Sequence, residues 1–181
     1  VEDATPGGIA LTVLLSVCGG LLLYGVFALD EPMDLLEYTY FQEGWAGSNP
    51  LEVALSPVVA ERAHAPGYAV LMWAMTGISN AETWLRLPAV LSALLGAWFL
   101  FVLTARSTGN RNATLLAAFL GTISPLSMRY ARDVTPYSIV GLLAVLATWL
   151  LYRALCTGRK RDWLAYSATG TIAFFFHYFT A

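Results

Sequence analysis

The chain has 181 residues, of which 57% are hydrophobic and 12% are charged. Soluble domains carry roughly twice that share of charged residues, so the composition argues against a water-soluble globule and against a disordered tail. Ten Lys and Arg residues against twelve Asp and Glu residues give a net charge of −2, which disfavours nucleic-acid binding. Long apolar runs predict an all-α integral membrane protein.

Charge-free apolar runs mark the predicted membrane-spanning segments. The first run, at 9–29, is long enough to cross a bilayer core, whereas the run at 63–81 has an apolar centre of only about ten residues. We interpret the shorter run as re-entrant or interfacial, and we predict a single transmembrane module over 1–181 with amphipathic or re-entrant helices in an outer loop at 30–86. The five predicted spans lie at about 9–29, 87–105, 112–128, 137–155 and 163–181.

Basic residues indicate the orientation in the membrane. Six of the ten Lys and Arg residues lie in two linkers, 106–111 and 153–162, and short linkers rich in these residues stay in the cytoplasm. Five crossings with a cytoplasmic N-terminus place both linkers there. Six crossings with an outer N-terminus satisfy the rule as well. The two arrangements differ in whether the loop at 30–65 faces the same side as the loop at 129–136.

Seven of the twelve acidic residues lie between positions 30 and 62. Met33, Leu36, Tyr40 and Phe41 recur at helical spacing, which predicts an amphipathic helix along the membrane surface. We interpret five acids of this segment as a solvated face: Asp34, Glu37, Glu43, Glu52 and Glu61.

Asp30 and Glu31 form an acidic pair directly after the first predicted span. Acids at this position either stop a helix at the membrane boundary or provide a general base or a cation site. The sequence alone leaves both interpretations open.

A second polar segment, MRYARDVTPY at 128–137, lies between two predicted spans. Arg129 and Arg132 carry planar donor groups that suit a phosphate, although arginines at a membrane boundary also contact lipid headgroups. His64 and His177 are each compatible with a role as a packing residue. With five crossings they approach the same outer face as Asp30.

Six short motifs follow one another along the chain. They are ALDE at 28–31, HAPGY at 64–68, LRLPAVL at 85–91, GNRNATLLAAFLGTISP at 109–125, RYARDVTPY at 129–137 and HYF at 177–179. Their order and spacing resemble the polyprenyl-phosphate-sugar-dependent glycosyltransferases of the GT-C class. The nearest resemblance is to glycosyltransferase family 39, which holds the protein O-mannosyltransferases and the lipid A aminoarabinose transferases.

The resemblance implies a multi-pass protein of the bacterial inner membrane with a cytoplasmic N-terminus, five crossings and a periplasmic site. It implies a polyprenyl-phosphate sugar as donor, with Asp30 as catalytic base and Glu31 beside it. The resemblance is also compatible with a divalent cation bound by Glu31 and Asp133. The resemblance also implies eight substrate- or phosphate-binding residues: His64, Tyr68, Arg86, Arg129, Arg132, Asp133, Tyr137 and His177.

Two motifs depart from the pattern of these relatives. The relatives' outer motif Gln-Glu-Ala-Arg-x-Tyr aligns with 132–137, where Thr135 replaces the arginine, and Gly67 stands where a second proline is expected. These departures motivate an alternative function, a non-catalytic membrane subunit of a larger complex that derives from this family. Because the chain starts at Val1 and ends in an apolar run, we expect it to be part of a longer protein, and the resemblance implies that it is the N-terminal portion.

Overall fold

The computed structural model describes residues 32–62 and 64–178. Every regular element in these ranges is a helix, which confirms the all-helical prediction for this part of the chain. The predicted span at 9–29 lies outside the described residues, as do Asp30 and Glu31. The described helices are α1 (Leu35–Glu43), α2 (Pro50–Ala54), α3 (Pro57–Glu61), α4 (Pro66–Thr76), α5 (Glu82–Thr108), α6 (Arg111–Ile123), α7 (Pro125–Arg132), α8 (Tyr137–Thr157) and α9 (Lys160–Phe176).

Helices α5 and α8 are the two described helices that are long and apolar enough to cross a membrane. They have 27 and 21 residues, or about 40 and 32 Å at 1.5 Å per residue. In the most apolar stretch of each, only 11% and 17% of the residues are buried inside the protein. A core helix of a soluble protein is mostly buried, so this exposed apolar surface fits contact with lipid. The predicted spans at 87–105 and 137–155 lie on these two helices.

The predicted spans at 112–128 and 163–181 correspond to shorter helices. Residues 112–128 are divided at Ser124, whose backbone is extended at φ −55° and ψ 128°, because a proline disfavours the helical conformation of the residue before it. Helix α9 covers most of 163–181 with 17 residues. The number of spans therefore stays a prediction.

Two tight turns bring the basic linkers to the same end of the helices. Gly109 and Gly158 end α5 and α8 in the left-handed conformation, at φ 62° and 64°, which glycine adopts without steric cost. Asn110 then accepts hydrogen bonds from the first amides of α6. The hydroxyl of Tyr152 donates to the carbonyl of Arg106 at 2.8 Å. This bond holds the C-terminal ends of α5 and α8 together.

The opposite end of α5 and α8 is built from the short helices. Helix α4 has 11 residues, about 17 Å, which is too short to cross a bilayer core of about 30 Å. Helices α1 and α2 pack against α4. The main apolar core lies where α1, α4, α5 and the start of α8 meet. Its buried members are Tyr40, Tyr68, Met72, Leu85, Val134 and Ile139.

Helix α1 presents an unexpected face to the interior. Glu37 and Glu43 are only 3% and 0% exposed, whereas Leu35 is 84% and Leu36 is 41% exposed. The interpretation of Glu37 and Glu43 as part of a solvated face is therefore wrong. The reason is that distant residues supply basic partners for both carboxylates, and a buried charge is tolerated when it is paired.

Candidate active site

A buried ion pair joins α1 to α5. Arg86 is 2% exposed, and its Nε and Nη2 atoms each donate to Oε1 of Glu37 at 3.3 Å. Nη2 also lies 3.4 Å from Oε2 of Glu37. A guanidinium fork suits a carboxylate in this way. Because loss of either partner would leave an uncompensated buried charge, the pair fixes the relative position of the two helices.

Glu37 also holds the segment between α7 and α8. The amide of Val134 donates to Oε1 of Glu37 at 2.8 Å, across 97 positions of the chain. Asp34 and Glu37 form a capping box at the start of α1, with amide-to-carboxylate distances of 2.9 and 2.8 Å. One carboxylate therefore brings together the two polar segments that are far apart in sequence, 30–62 and 128–137.

A polar cavity of about 300 Å³ opens beside this ion pair. It is lined by Pro32 and by three acids and three arginines: Asp34, Glu37, Asp133, Arg86, Arg129 and Arg132. The cavity is large enough for a phosphate group, and guanidinium groups are the donors that phosphate prefers in proteins.

Asp133 is a carboxylate at the edge of this cavity, and 16% of its side chain is exposed. Burial raises its pKa, and the nearby charge of Glu37 raises it further, while Arg129 opposes the rise. The Nε atom of Arg129 lies 3.7 Å from Oδ2 of Asp133, and the arginine side chain is 63% exposed. The raised pKa makes Asp133 a better proton acceptor than an ordinary surface aspartate.

His64 lies against a second buried carboxylate. Its Nδ1 is 2.6 Å from Oε1 of Glu43, and the ring of Tyr40 stacks on it with centroids 4.5 Å apart. Nη1 of Arg62 lies 3.5 Å from the same carboxylate oxygen. Glu43 and Tyr40 therefore set the orientation of the imidazole.

Aromatic residues connect His64 to the cavity. We call Tyr40, His64, Tyr68, Tyr137 and His177 the aromatic cluster. Tyr68 packs edge-on against Tyr40 at 5.3 Å, and Tyr137 lies 5.6 Å from His177. Burial raises the pKa of Tyr40, with smaller contributions from Tyr137 and Glu43, so its hydroxyl stays protonated at neutral pH. Burial also raises the pKa of Tyr68, and Tyr40 and the charges of Glu37 and Asp133 raise it further, so this member of the cluster lies near two acids of the cavity.

The eight residues predicted to bind substrate or phosphate thus fall into two adjacent groups. Four line the cavity: Arg86, Arg129, Arg132 and Asp133. The other four belong to the aromatic cluster: His64, Tyr68, Tyr137 and His177. Asp30 and Glu31 lie outside the described residues, although Pro32, two positions after Asp30, lines the cavity.

Sequence reasoning missed Glu37 and Glu43 as parts of this site. Glu37, Tyr40 and Glu43 recur every three residues, so all three lie on one face of α1, and this spacing is the signal that identifies them. Within the described ranges, no three His, Cys, Asp or Glu side chains are arranged to hold a metal ion. The predicted cation site of Glu31 and Asp133 stays a prediction, because Glu31 lies outside the described residues.

The exposed apolar surfaces of α5 and α8 fit a membrane protein, and the cavity beside them is lined by three acids and three arginines. Comparison with known proteins gives the family. The family described as dolichyl-phosphate-mannose-protein mannosyltransferase matches residues 63–181. The match covers more than half of the chain, which therefore belongs to this family of membrane glycosyltransferases of the GT-C type, and the predicted resemblance is confirmed. No curated protein and no solved structure matches the chain.

Proposed function

We propose that the protein transfers a sugar from a polyprenyl-phosphate donor to an acceptor at the extracytoplasmic face of a bacterial inner membrane. The observation that carries this proposal is the cavity where Glu37, Arg86 and the segment 133–136 meet at one end of two long apolar helices. Membership of the mannosyltransferase family supplies the class of reaction. The cavity supplies charged groups suited to a phosphate.

The leaving group of this reaction is a lipid phosphate, on which negative charge increases as the bond to the sugar breaks. Cationic donors must stabilise that charge. We assign Arg129 and Arg132 to this role because both line the cavity. Arg86 is held by Glu37, so in this proposal it builds the wall of the cavity and orients the other groups.

The acceptor must lose a proton as it attacks the anomeric carbon of the sugar. We assign Asp30 as the general base, with Glu31 beside it. Asp30 precedes Pro32, which lines the cavity, by two positions in the sequence. Asp133, with its raised pKa, is the second carboxylate available for proton transfer.

The lipid tail of the donor needs an apolar surface next to the cavity. A groove of about 230 Å³ runs along α5, α6, α7 and α8, and its small residues include Gly96, Gly121 and Gly141. Tyr130 and Tyr137 line this groove, and their rings lie 4.6 Å apart. Because Tyr137 also belongs to the aromatic cluster, we place the first prenyl units in this groove, with the phosphate in the cavity.

The proposal uses the five-crossing arrangement, with spans at about 9–29, 87–105, 112–128, 137–155 and 163–181. The short length of α4 supports it, because α4 would supply the sixth crossing. The cavity then faces the periplasm, and the linkers at 106–111 and 153–162 face the cytoplasm.

Membrane vesicles that contain the protein, supplied with polyprenyl-phosphate [³H]mannose, test this function. We expect Asp30→Asn to lower transfer by about 10²–10⁴-fold and Arg129→Gln/Arg132→Gln to lower it by about 10²–10³-fold. Glu61→Gln is the matched control, because Glu61 is an exposed acid that does not line the cavity. Full transfer by Asp30→Asn contradicts the base assignment, and full transfer by the double variant contradicts the phosphate site.

A further inference from the structure

A second cavity, of about 530 Å³, lies at the opposite end of α5 and α8 from the candidate active site. On α5, Arg86 lines the first cavity and Arg106 lines the second. The 20 positions between them correspond to about 30 Å along the helix. The two cavities are therefore separated by approximately the thickness of a bilayer core.

Three arginines give the second cavity a positive charge: Arg106, Arg153 and Arg159. The nearest described carboxylate, Asp162, already has two donors. Its Oδ1 accepts from Nη2 of Arg153 at 2.7 Å, and its Oδ2 accepts from the hydroxyl of Thr157 at 2.6 Å. Among the described residues, no carboxylate forms an ion pair within 4.0 Å with Arg106 or Arg159, although Arg159 helps Arg153 to lower the pKa of Asp162. One carboxylate therefore faces three guanidinium groups, which leaves a net positive charge for a ligand.

The wall of this cavity is apolar, and contacts between its side chains hold two of the arginines in place. Val102, Trp149 and Tyr152 line it. The guanidinium of Arg153 lies 4.6 Å from the centre of the Trp149 ring, which is a cation–π distance. The hydroxyl of Tyr152 holds the backbone of Arg106 at 2.8 Å. A cationic rim above an apolar wall suits an amphiphile with a negatively charged head.

We propose that this cavity binds the headgroup of an anionic phospholipid from the leaflet opposite the candidate active site. The lipid phosphate lies between Arg106 and Arg159, and the acyl chains lie along the exposed apolar surfaces of α5 and α8. Basic pockets between membrane helices recognise anionic headgroups in this way. A zwitterionic lipid lacks the net negative charge that would compensate the two arginines.

Native mass spectrometry of the purified protein in neutral detergent tests this site. Phosphatidylglycerol is titrated against phosphatidylcholine with the same acyl chains. We expect Arg106→Gln/Arg159→Gln to weaken phosphatidylglycerol binding by at least about tenfold. Arg111→Gln/Arg161→Gln is the matched control, because it removes the same charge from the same two linkers at exposed positions outside the cavity. We expect the control to change binding by less than about twofold.

Three results would overturn the proposal. Equal weakening in both double variants would show a diffuse charge effect without a site. Equal affinity for phosphatidylcholine would show that charge is not recognised. Displacement of the lipid by glycerol phosphate at similar concentrations would show a site for a soluble anion. All four substituted arginines are exposed, so a folding defect is not expected in either variant.

Discussion

Glu37 is the residue on which three parts of the chain depend for their relative positions. Its carboxylate accepts from Arg86 of α5, from the amide of Val134 and from the amide of Asp34. Each donor compensates part of the cost of burying the negative charge. The cavity keeps its shape because these bonds are satisfied together.

The substitution Arg86→Ala should destabilise the fold strongly, because it leaves the charge of Glu37 buried without its basic partner. We expect a loss of about 3–5 kcal/mol in the free energy of unfolding, measured by chemical denaturation in detergent. Arg129→Ala is the matched control, since that side chain is 63% exposed and should cost less than about 1 kcal/mol. Equal losses in the two variants would show that the buried pair has no special role.

The raised pKa of Asp133 predicts a pH dependence with a definite sign. The folded state binds this proton more tightly than the unfolded state, since burial and Glu37 raise the pKa. The contribution of Asp133 to stability therefore increases as the pH falls from neutral through the raised pKa, and it levels off below about pH 4.

The variant Asp133→Asn should remove this pH dependence without lowering stability at pH 7. We expect a change of no more than about 1 kcal/mol in the stabilising direction, because the Asp133 side chain is still partly exposed. The unfolding midpoints of both proteins, measured from pH 4 to pH 8, give the comparison. A variant that is clearly less stable at neutral pH would show that the ionised form of Asp133 is favoured by the fold.

At the residue scale, the burial of Glu37 and Glu43 could not be predicted from the sequence. Both lie in a segment whose local pattern suggests a solvated face. Their partners are 49 and 21 positions away, at Arg86 and His64. The pairing depends on how α1, α4 and α5 pack. The spacing of Glu37, Tyr40 and Glu43 places both acids on one face of α1, but it does not identify their partners. The arginines of 129–137 were predictable because a polar run between apolar runs is visible directly.

At the scale of helices, the contact between α4 and α9 is unusually close at Gly67. A Cβ atom added at this position would lie 2.7 Å from the carbonyl oxygen of Phe175. Real Cβ atoms essentially never approach a backbone atom so closely. This contact gives a physical reason for the glycine at a position where the related motif has a proline.

The substitution Gly67→Ala should therefore push α4 away from α9. We expect a loss of about 1–3 kcal/mol in stability, the usual range for overpacking. Gly141→Ala in α8 is the matched control, because no atom lies within 4 Å of its added Cβ. That variant should be neutral or more stable by up to about 1 kcal/mol. Thermal unfolding in detergent compares the two, and a neutral Gly67→Ala would contradict the close contact.

Helix existence was easier to predict than helix boundaries. The charge-free runs at 87–105 and 137–155 correctly predicted α5 and α8, because the length and apolarity of a run can be read directly from the sequence. The break at Ser124 was missed, since hydropathy does not detect it, although the following Pro125 is a local signal for it. Gly109 and Gly158 mark the ends of α5 and α8, which lie three and two residues beyond the predicted ends at 105 and 155.

At the scale of the whole molecule, α5 and α8 separate two ends with different chemistry. One end holds the cavity in which acids and arginines are paired, together with the aromatic cluster. The other end holds the basic linkers and the second cavity. The family match and the exposed apolar surfaces of α5 and α8 place this pair of helices in a membrane. The central claim of the account is that the two ends face opposite aqueous compartments.

Cysteine accessibility in oriented membrane vesicles tests this claim most directly. One protein carries Ala60→Cys with Cys18→Ser and Cys156→Ser, and the other carries Cys18→Ser alone, so that Cys156 is its single thiol. Both labelled positions are exposed. A maleimide that cannot cross the membrane should label position 60 only from the periplasmic side and Cys156 only from the cytoplasmic side. Labelling of both positions from the same side would mean that α4 crosses the membrane, and it would contradict the account.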